Sequence, residues 1–128
     1  MQKIFWLAGL VFVVLLVAGC GNDYTHLTEQ EAVEMMKNNP GAVIVDTRTP
    51  EEYEKKHIPG ALLIPVEEIK NGNAEKLLPD KNQVVMLYCR TGRRAVIAAE
   101  ILVKRGYTKV YEFGGIVDWS GETEGTEN

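Results

Sequence analysis

The sequence predicts a single α/β domain built on a doubly wound, mainly parallel open sheet. Short β-branched runs, AVIVD at 42–46 and VVMLY at 84–88, stay apolar without alternating, which is typical of strands buried on both faces. Helical segments separate these runs, and strand alternating with helix is the pattern of a parallel sheet. With 128 residues, of which 45% are hydrophobic, the chain is long enough for one core and too short for two.

The first predicted element is a helix with a clear start and end. Thr28 precedes it as the N-cap, and Glu31 completes a capping box three residues later. Asn39, Pro40 and Gly41 end it. Strands are expected at 42–46, 61–65, 84–88 and 109–113, and the other helices at Pro50–Lys56, Val66–Ile69 and Arg93–Arg105.

The beginning of the chain does not belong to this domain. Lys3 is followed by an uncharged apolar stretch and then small residues, which is the layout of a secretory signal peptide at 1–19. Val17 to Cys20 resemble the lipobox of bacterial lipoproteins, so we expect Cys20 to carry a lipid and residues 20–24 to form a tether. The alternative is an uncleaved membrane anchor. Both interpretations place the domain outside the cytoplasm, attached to a membrane.

The charge balance limits the partners of the domain. The formal net charge is −4, and no block of Lys and Arg follows Cys20. Nucleic-acid binding is therefore not expected. After the domain at 25–119, the segment SGETEGTEN at 120–128 is polar and acidic, and it has too little apolar surface to order itself. We expect a disordered tail there.

Cys89 is the one cysteine left without a partner once Cys20 is lipidated. It follows the strand at 84–88 and precedes the helix that begins near Arg93, which places it in the crevice at the carboxyl ends of the strands. Thr91 and Gly92 allow the backbone to turn its N–H groups toward one point. A buried structural cysteine is the alternative, and the neighbouring residues argue against it.

Three arginines follow Cys89 within five residues: Arg90, Arg93 and Arg94. Cations at a helix N-terminus oppose the helix dipole, so they are disfavoured there unless they meet an anion. Together with the helix N-terminus they favour the thiolate form of a cysteine, which is a competent nucleophile. Their paired N–H donors can also hold an oxyanion. The loop therefore predicts a reactive thiolate and a small anionic substrate.

The segment CRTGRR at 89–94 resembles the six-residue active-site loop of the rhodanese, or sulfurtransferase, family. Two further segments resemble family signatures in the same order, VIVDTRTPEEYEKKHIPGALLIP at 43–65 and VYEFGGIVDW at 110–119. A cysteine-type phosphatase has its arginine six residues after the cysteine, where this chain has Ala95. The resemblance covers about residues 25–119.

The resemblance implies a rhodanese-like fold and a sulfur-carrying cysteine. Cys89 would take the outer sulfur of a donor such as thiosulfate, become a persulfide, and pass the sulfur to cyanide, a thiol or a protein acceptor. The residues from Arg90 to Arg94 would surround the transferred sulfur. No metal or organic cofactor is implied.

Two other functions stay open at this stage. A thiol redox protein is one, although Gly92 stands where a C-x-x-C pair needs its second cysteine. A non-catalytic docking module that uses the same fold is the other. Asp46 and Arg48, at the end of a strand, are candidates for orienting the loop by pairing with one of its residues. His57 is expected to make a turn hydrogen bond rather than bind a metal.

Overall fold

A five-stranded parallel sheet with helices on both faces forms the centre of the computed structural model, which describes residues 23–127. The signal peptide predicted for 1–19, the lipidation site Cys20 and most of the tether lie outside the described residues. Within the described part, no helix combines the length and the apolar character that crossing a bilayer would require.

The strands run parallel in the spatial order β1-β5-β4-β2-β3. This arrangement confirms the predicted α/β fold with an open parallel sheet. β4 lies at the centre, between β2 and β5, so its carboxyl end opens between two neighbouring strands. The strands are β1 Thr25–His26, β2 Val43–Asp46, β3 Leu62–Leu63, β4 Val84–Cys89 and β5 Lys109–Gly115.

The helices begin where the sequence signals place them. Thr28 caps α1 in the capping box with Glu31, as predicted, and Thr49 makes the same box with Glu52 at the start of α2. The helices are α1 Glu29–Asn38, α2 Pro50–Lys55, α3 Val66–Lys70, α4 Ala74–Leu77 and α5 Arg93–Lys104, and a 3-10 turn follows β5 at Ile116–Asp118.

The sheet separates two apolar clusters. Leu102 of α5 and Ile69 of α3 are fully buried on one face. Ala32 of α1 and Phe113 of β5 belong to the cluster on the other face, and the partly buried Met35 and Met36 pack against it. Helices on both faces make the sheet doubly wound.

Several element bounds differ from the prediction. β1 and α4 were not anticipated, because one has two exposed residues and the other has a single turn. β3 has two residues instead of the five expected at 61–65, since Pro65 starts the next helix. β4 extends through Cys89 and β5 through Gly115, so the cysteine is the last residue of its strand.

The acidic segment at 120–128, as far as it is described, folds back against α2 instead of being disordered. His57 and Glu124 exchange backbone hydrogen bonds of 2.8 and 2.9 Å, and the N–H of Glu127 donates to the carbonyl of Lys55. Backbone hydrogen bonds can hold a segment that buries little apolar surface, which is why composition alone gave the wrong expectation.

Candidate active site

Cys89 ends the central strand at the carboxyl edge of the sheet. It is 1% exposed and pairs with Gly115 of β5, after a register shift between Leu87 and Cys89. Such an irregularity re-aims a side chain at the end of a strand. The thiol therefore lies at the bottom of the loop that follows, where a small group can approach it more readily than a bulky one.

The loop at 90–92 turns its backbone toward the sulfur. The N–H of Gly92 donates to Cys89 Sγ at 2.9 Å, and Gly92 has a φ of +116°. Gly92 is also the N-cap of α5 and offers no capping side chain. The first N–H groups of a helix have no intrahelical partner, so this end of α5 favours an anion at Cys89.

Close packing against β5 fixes the shape of the loop. The carbonyl of Arg90 accepts a hydrogen bond of 3.2 Å from the N–H of Val117. A Cβ at Gly115 would lie 2.0 Å from that same carbonyl oxygen. A Cβ at Gly92 would lie 3.4 Å from Gly114 Cα. Gly114 and Gly115, the last two residues of β5, thus form the surface against which the cysteine loop packs.

The three arginines of the loop have different environments. Arg90 and Arg93 are exposed, and neither makes an ion pair with any of residues 23–127. Arg94 instead makes a two-pronged pair with Glu52, with distances of 2.8 Å and 3.1 Å between the nitrogens and the carboxylate oxygens. Hydrogen bonding to Glu52 raises the pKa of Arg94, and the charge of Cys89 acts in the same direction. The ion pair with Glu52 therefore fixes the position of Arg94 in the first turn of α5.

Glu52 is a site residue that sequence reasoning missed. The hydrogen bond from Arg94 lowers the pKa of Glu52 from 4.5 to about 2, against the effect of burial. The same carboxylate accepts a 3.0 Å bond from the Thr49 N–H in the capping box of α2. The capping box was visible in the sequence, but its second role depends on α2 and α5 meeting in space.

Asp46 and Arg48 pair with each other rather than with the loop. Arg48 donates to both carboxylate oxygens of Asp46, the closest distance being 2.8 Å, and it also donates to the Lys56 carbonyl at 2.6 Å. Asp46 is fully buried and Arg48 is 5% exposed. Neither side chain bonds directly to a residue of 89–94, so the expected direct contact with the loop is absent among the described residues.

Tyr88 links this pair to the loop. Its hydroxyl donates to Asp46 at 2.6 Å and accepts from the Ile58 N–H at 3.0 Å. Burial, together with the bond to Asp46, raises the pKa of Tyr88. Because Tyr88 directly precedes Cys89, the buried pair orients the cysteine through the chain.

Thr47 is a second residue that the sequence did not single out. It is 1% exposed, and both its N–H and its hydroxyl donate to the Tyr88 carbonyl, at 3.0 and 2.9 Å. These bonds fix the peptide group between Tyr88 and Cys89. In the sequence, the only sign of this role is that Thr47 is a polar residue directly after a buried strand.

The two histidines of the described residues serve the structure. His57 stacks on Tyr53 with ring centroids 3.7 Å apart, and its Nδ1 lies 2.7 Å from the Tyr53 carbonyl oxygen. His26 Nδ1 contacts Glu112 at 2.5 Å, and the other oxygen of that carboxylate accepts from Gly114 N–H. No group of three His, Cys, Asp or Glu residues within 23–127 is arranged to hold a metal ion.

Comparison with known proteins agrees with this geometry. Thiosulfate sulfurtransferase PspE of Escherichia coli (strain K12) is 45% identical over 74 residues, 58% of this chain and 70% of PspE. The putative sulfur carrier protein YrkF of Bacillus subtilis (strain 168) is 42% identical over 82 residues, 63% of this chain but only 43% of YrkF. A structure described as rhodanese with anions from E. coli matches 66% of this chain and 98% of its own, with 38% identity and a TM-score of 0.61. The family model for the rhodanese-like domain matches residues 28–122, and the chain belongs to this family.

Proposed function

We propose that the protein is a sulfurtransferase that carries sulfane sulfur as a persulfide on Cys89. The observation that carries the proposal is the position of the Cys89 sulfur, 2.9 Å from the Gly92 N–H at the N-terminus of α5, the helix that begins with Arg93 and Arg94. The names of two relatives, a thiosulfate sulfurtransferase and a putative sulfur carrier, support the same chemistry.

The first half of the reaction transfers sulfur to the protein. The Cys89 thiolate attacks the outer sulfur of a donor such as thiosulfate, the sulfur–sulfur bond of the donor breaks, and sulfite leaves with the electron pair. The new Cys–S–S⁻ carries one negative charge, and the total charge is unchanged. The Gly92 N–H, the open end of α5 and the loop arginines stabilise the anion.

The second half returns the cysteine to its starting state. A thiophilic acceptor, such as cyanide or a thiol, attacks the outer sulfur and takes it, and Cys89 is released as the thiolate. Cys89 is 1% exposed, so the protein shields the inner sulfur of the persulfide, and the acceptor attacks the outer one. No step requires an oxidant or a reductant beyond donor and acceptor.

Intact-protein mass spectrometry before and after treatment with thiosulfate tests the proposal. The expected result is a gain of one sulfur mass in the wild type, reversed by cyanide, and no gain in Cys89→Ser. A folded, reduced wild-type protein that gains no sulfur from thiosulfate or from a polysulfide would overturn it and favour the docking module.

We further propose that a lipid on Cys20 tethers the domain outside the cytoplasm. The lipobox-like segment at 17–20, preceded by an apolar stretch, supports this proposal. The test is the mass of the protein isolated from membranes of an expressing bacterium. A mature chain that begins at Cys20 with an added diacylglyceryl group is expected, and Cys20→Ser should remain unprocessed. An unmodified Cys20 in the wild type would contradict the proposal.

A further inference from the structure

A shallow pocket of about 200 Å³ lies beside the cysteine loop and is lined on one side by the acidic C-terminal segment. Its lining includes Arg90 of the loop and two apolar residues that follow β5, Ile116 and Val117. Four charged residues between β2 and His57 also line it: Arg48, Glu52, Lys55 and Lys56. The C-terminal segment contributes Glu127.

The charges that line this pocket are not equally available to a ligand. Arg48 is neutralised by Asp46, and Glu52 by Arg94. Lys55, Lys56 and Arg90 make no ion pair with any of residues 23–127, and neither does Glu127. Glu127 is thus the one acidic side chain of the pocket lining that is not already neutralised, and it shares the lining with three unpaired cations.

Several contacts hold the C-terminal segment in this position. The N–H of Thr126 donates to the Glu54 carbonyl at 3.0 Å, and that of Glu127 donates to the Lys55 carbonyl at 2.9 Å. The Glu124 carboxylate also lies 3.1 Å from His57 Nε2. Gly125 has a φ of +143°, and a Cβ there would lie 2.4 Å from the Lys55 carbonyl oxygen. The segment fits α2 closely only because residue 125 is glycine.

We propose that Glu127 is a specificity-determining residue, which lowers the affinity of the site for anionic sulfur donors relative to neutral ones. A carboxylate at the edge of the pocket reduces the positive field of Lys55, Lys56 and Arg90 next to Cys89. The family match covers residues 28–122, so Glu127 lies outside the matched range. The inference rests on the proposed function for its biological meaning.

The test measures the field at Cys89 without requiring sulfur transfer. Full-length protein is alkylated with iodoacetate, which is anionic, and with iodoacetamide, which is neutral and of similar size. Peptide mass mapping gives the rate at Cys89, and the ratio of the two rates reports the local charge. Persulfide formation from thiosulfate is measured on the same samples, in parallel.

Glu127→Gln is expected to raise the iodoacetate-to-iodoacetamide ratio about twofold, the effect of one charge acting through water over roughly 10 Å. Lys55→Gln should lower the ratio by a similar factor. Gly125→Ala, which displaces the segment, should raise it as Glu127→Gln does. Glu122→Gln is the matched control, since Glu122 is an exposed carboxylate of the same segment that does not line the pocket. The differences in this ratio between the variants and the wild type should diminish in 1 M salt.

The outcomes separate this inference from the proposed function. A ratio that is the same in wild type, Glu127→Gln and Gly125→Ala overturns the inference, even if thiosulfate forms a persulfide. An equal rise in Glu122→Gln also overturns it, because the effect would then come from net charge alone. A rise confined to Glu127→Gln and Gly125→Ala supports it, even in a protein that accepts no sulfur from thiosulfate.

Discussion

The hydroxyl of Tyr88 connects the buried Asp46–Arg48 pair to β4, the strand that ends in Cys89. Removing it in Tyr88→Phe leaves a buried carboxylate oxygen and the Ile58 N–H each without this partner. An unsatisfied buried polar group costs about 1–3 kcal/mol. We therefore expect the free energy of unfolding, measured by chemical denaturation, to fall by about 2 kcal/mol.

Tyr111 provides the control for this substitution. It lies on β5, the neighbouring strand, is partly buried, and its hydroxyl makes no hydrogen bond to the residues that the structure describes. Tyr111→Phe should change the free energy of unfolding by less than about 0.5 kcal/mol. Equal losses in the two variants would show that the Tyr88 hydroxyl network is not what stabilises this strand.

The residues of the site differ in how far the sequence could predict them. Cys89 and the loop after it form one continuous segment, so their proximity follows from chain order and from the rule for parallel sheets. Thr47, Glu52 and Tyr88 act across separations of 41 and 42 residues. Such contacts depend on which strands and helices become neighbours, and single-sequence periodicity does not report that.

At the scale of elements, β5 supports the cysteine loop from behind. A Cβ at Gly115 would be 2.0 Å from the Arg90 carbonyl oxygen, a backbone atom that cannot move aside without displacing the loop. Gly115→Ala is expected to lower the free energy of unfolding by at least about 1–3 kcal/mol, the usual cost of overpacking. It should also slow the alkylation or sulfuration of Cys89, since the loop must shift.

Gly41→Ala is the matched control, because Gly41 is exposed and a Cβ there would have no atom within 4 Å. Thermal unfolding monitored by circular dichroism gives the stability of both variants, and peptide mass mapping gives the reactivity of Cys89. If Gly115→Ala behaved like Gly41→Ala in both measurements, the close contact between β5 and the loop would not be a constraint.

The Glu52–Arg94 pair joins α2 to α5 and should make stability depend on pH. The pKa of Glu52 is lowered to about 2 in the folded protein, from an ordinary value of 4.5. A lowered folded-state pKa contributes stability that is present above pH 4.5 and is lost as the pH falls through about 2. Glu52→Gln keeps a capping-box acceptor but removes the charge, so it should lose about 1 kcal/mol at neutral pH.

The measurement is the free energy of unfolding of wild type and Glu52→Gln between pH 7 and pH 2. The difference between the two should be constant at neutral pH and shrink below pH 4.5. Glu51→Gln, on the same helix turn and without an ion pair among the described residues, should show no such trend. A difference that stays constant down to pH 2 would contradict the role given to the pair.

The long helices and strands were predictable because their apolar pattern and their capping residues indicate the same element. The capping boxes at Thr28 and Thr49 mark real helix starts, and the apolar runs at 42–46 and 84–88 contain the two strands beside the site. The elements that were missed have only two to four residues, too few to show a period. Their structure comes from tertiary neighbours, as does that of the C-terminal segment.

At the scale of the whole molecule, one sheet supports two apolar clusters, one on each face. Along β4, Val85 and Leu87 belong to the cluster that packs on α3 and α5, while Met86 and Tyr88 belong to the cluster on the opposite face. Because the same strand supports both clusters, loss of packing on one face removes the surface on which the other rests. Cys89 follows directly after Tyr88, so the strand that carries it is packed on both faces.

This arrangement predicts a single cooperative unfolding transition. Leu102→Ala on one face and Phe113→Ala on the other should each lower the free energy of unfolding by about 2–5 kcal/mol. In each variant, far-ultraviolet circular dichroism, which reports helices and strands, and near-ultraviolet circular dichroism, which reports side-chain packing, should give coincident denaturation curves. Coincident curves are expected because every strand lies in the one sheet. If the two curves separated, because a variant lost the packing on its substituted face first, the two faces would fold independently. Cys89 would then be held mainly by the cluster to which it belongs.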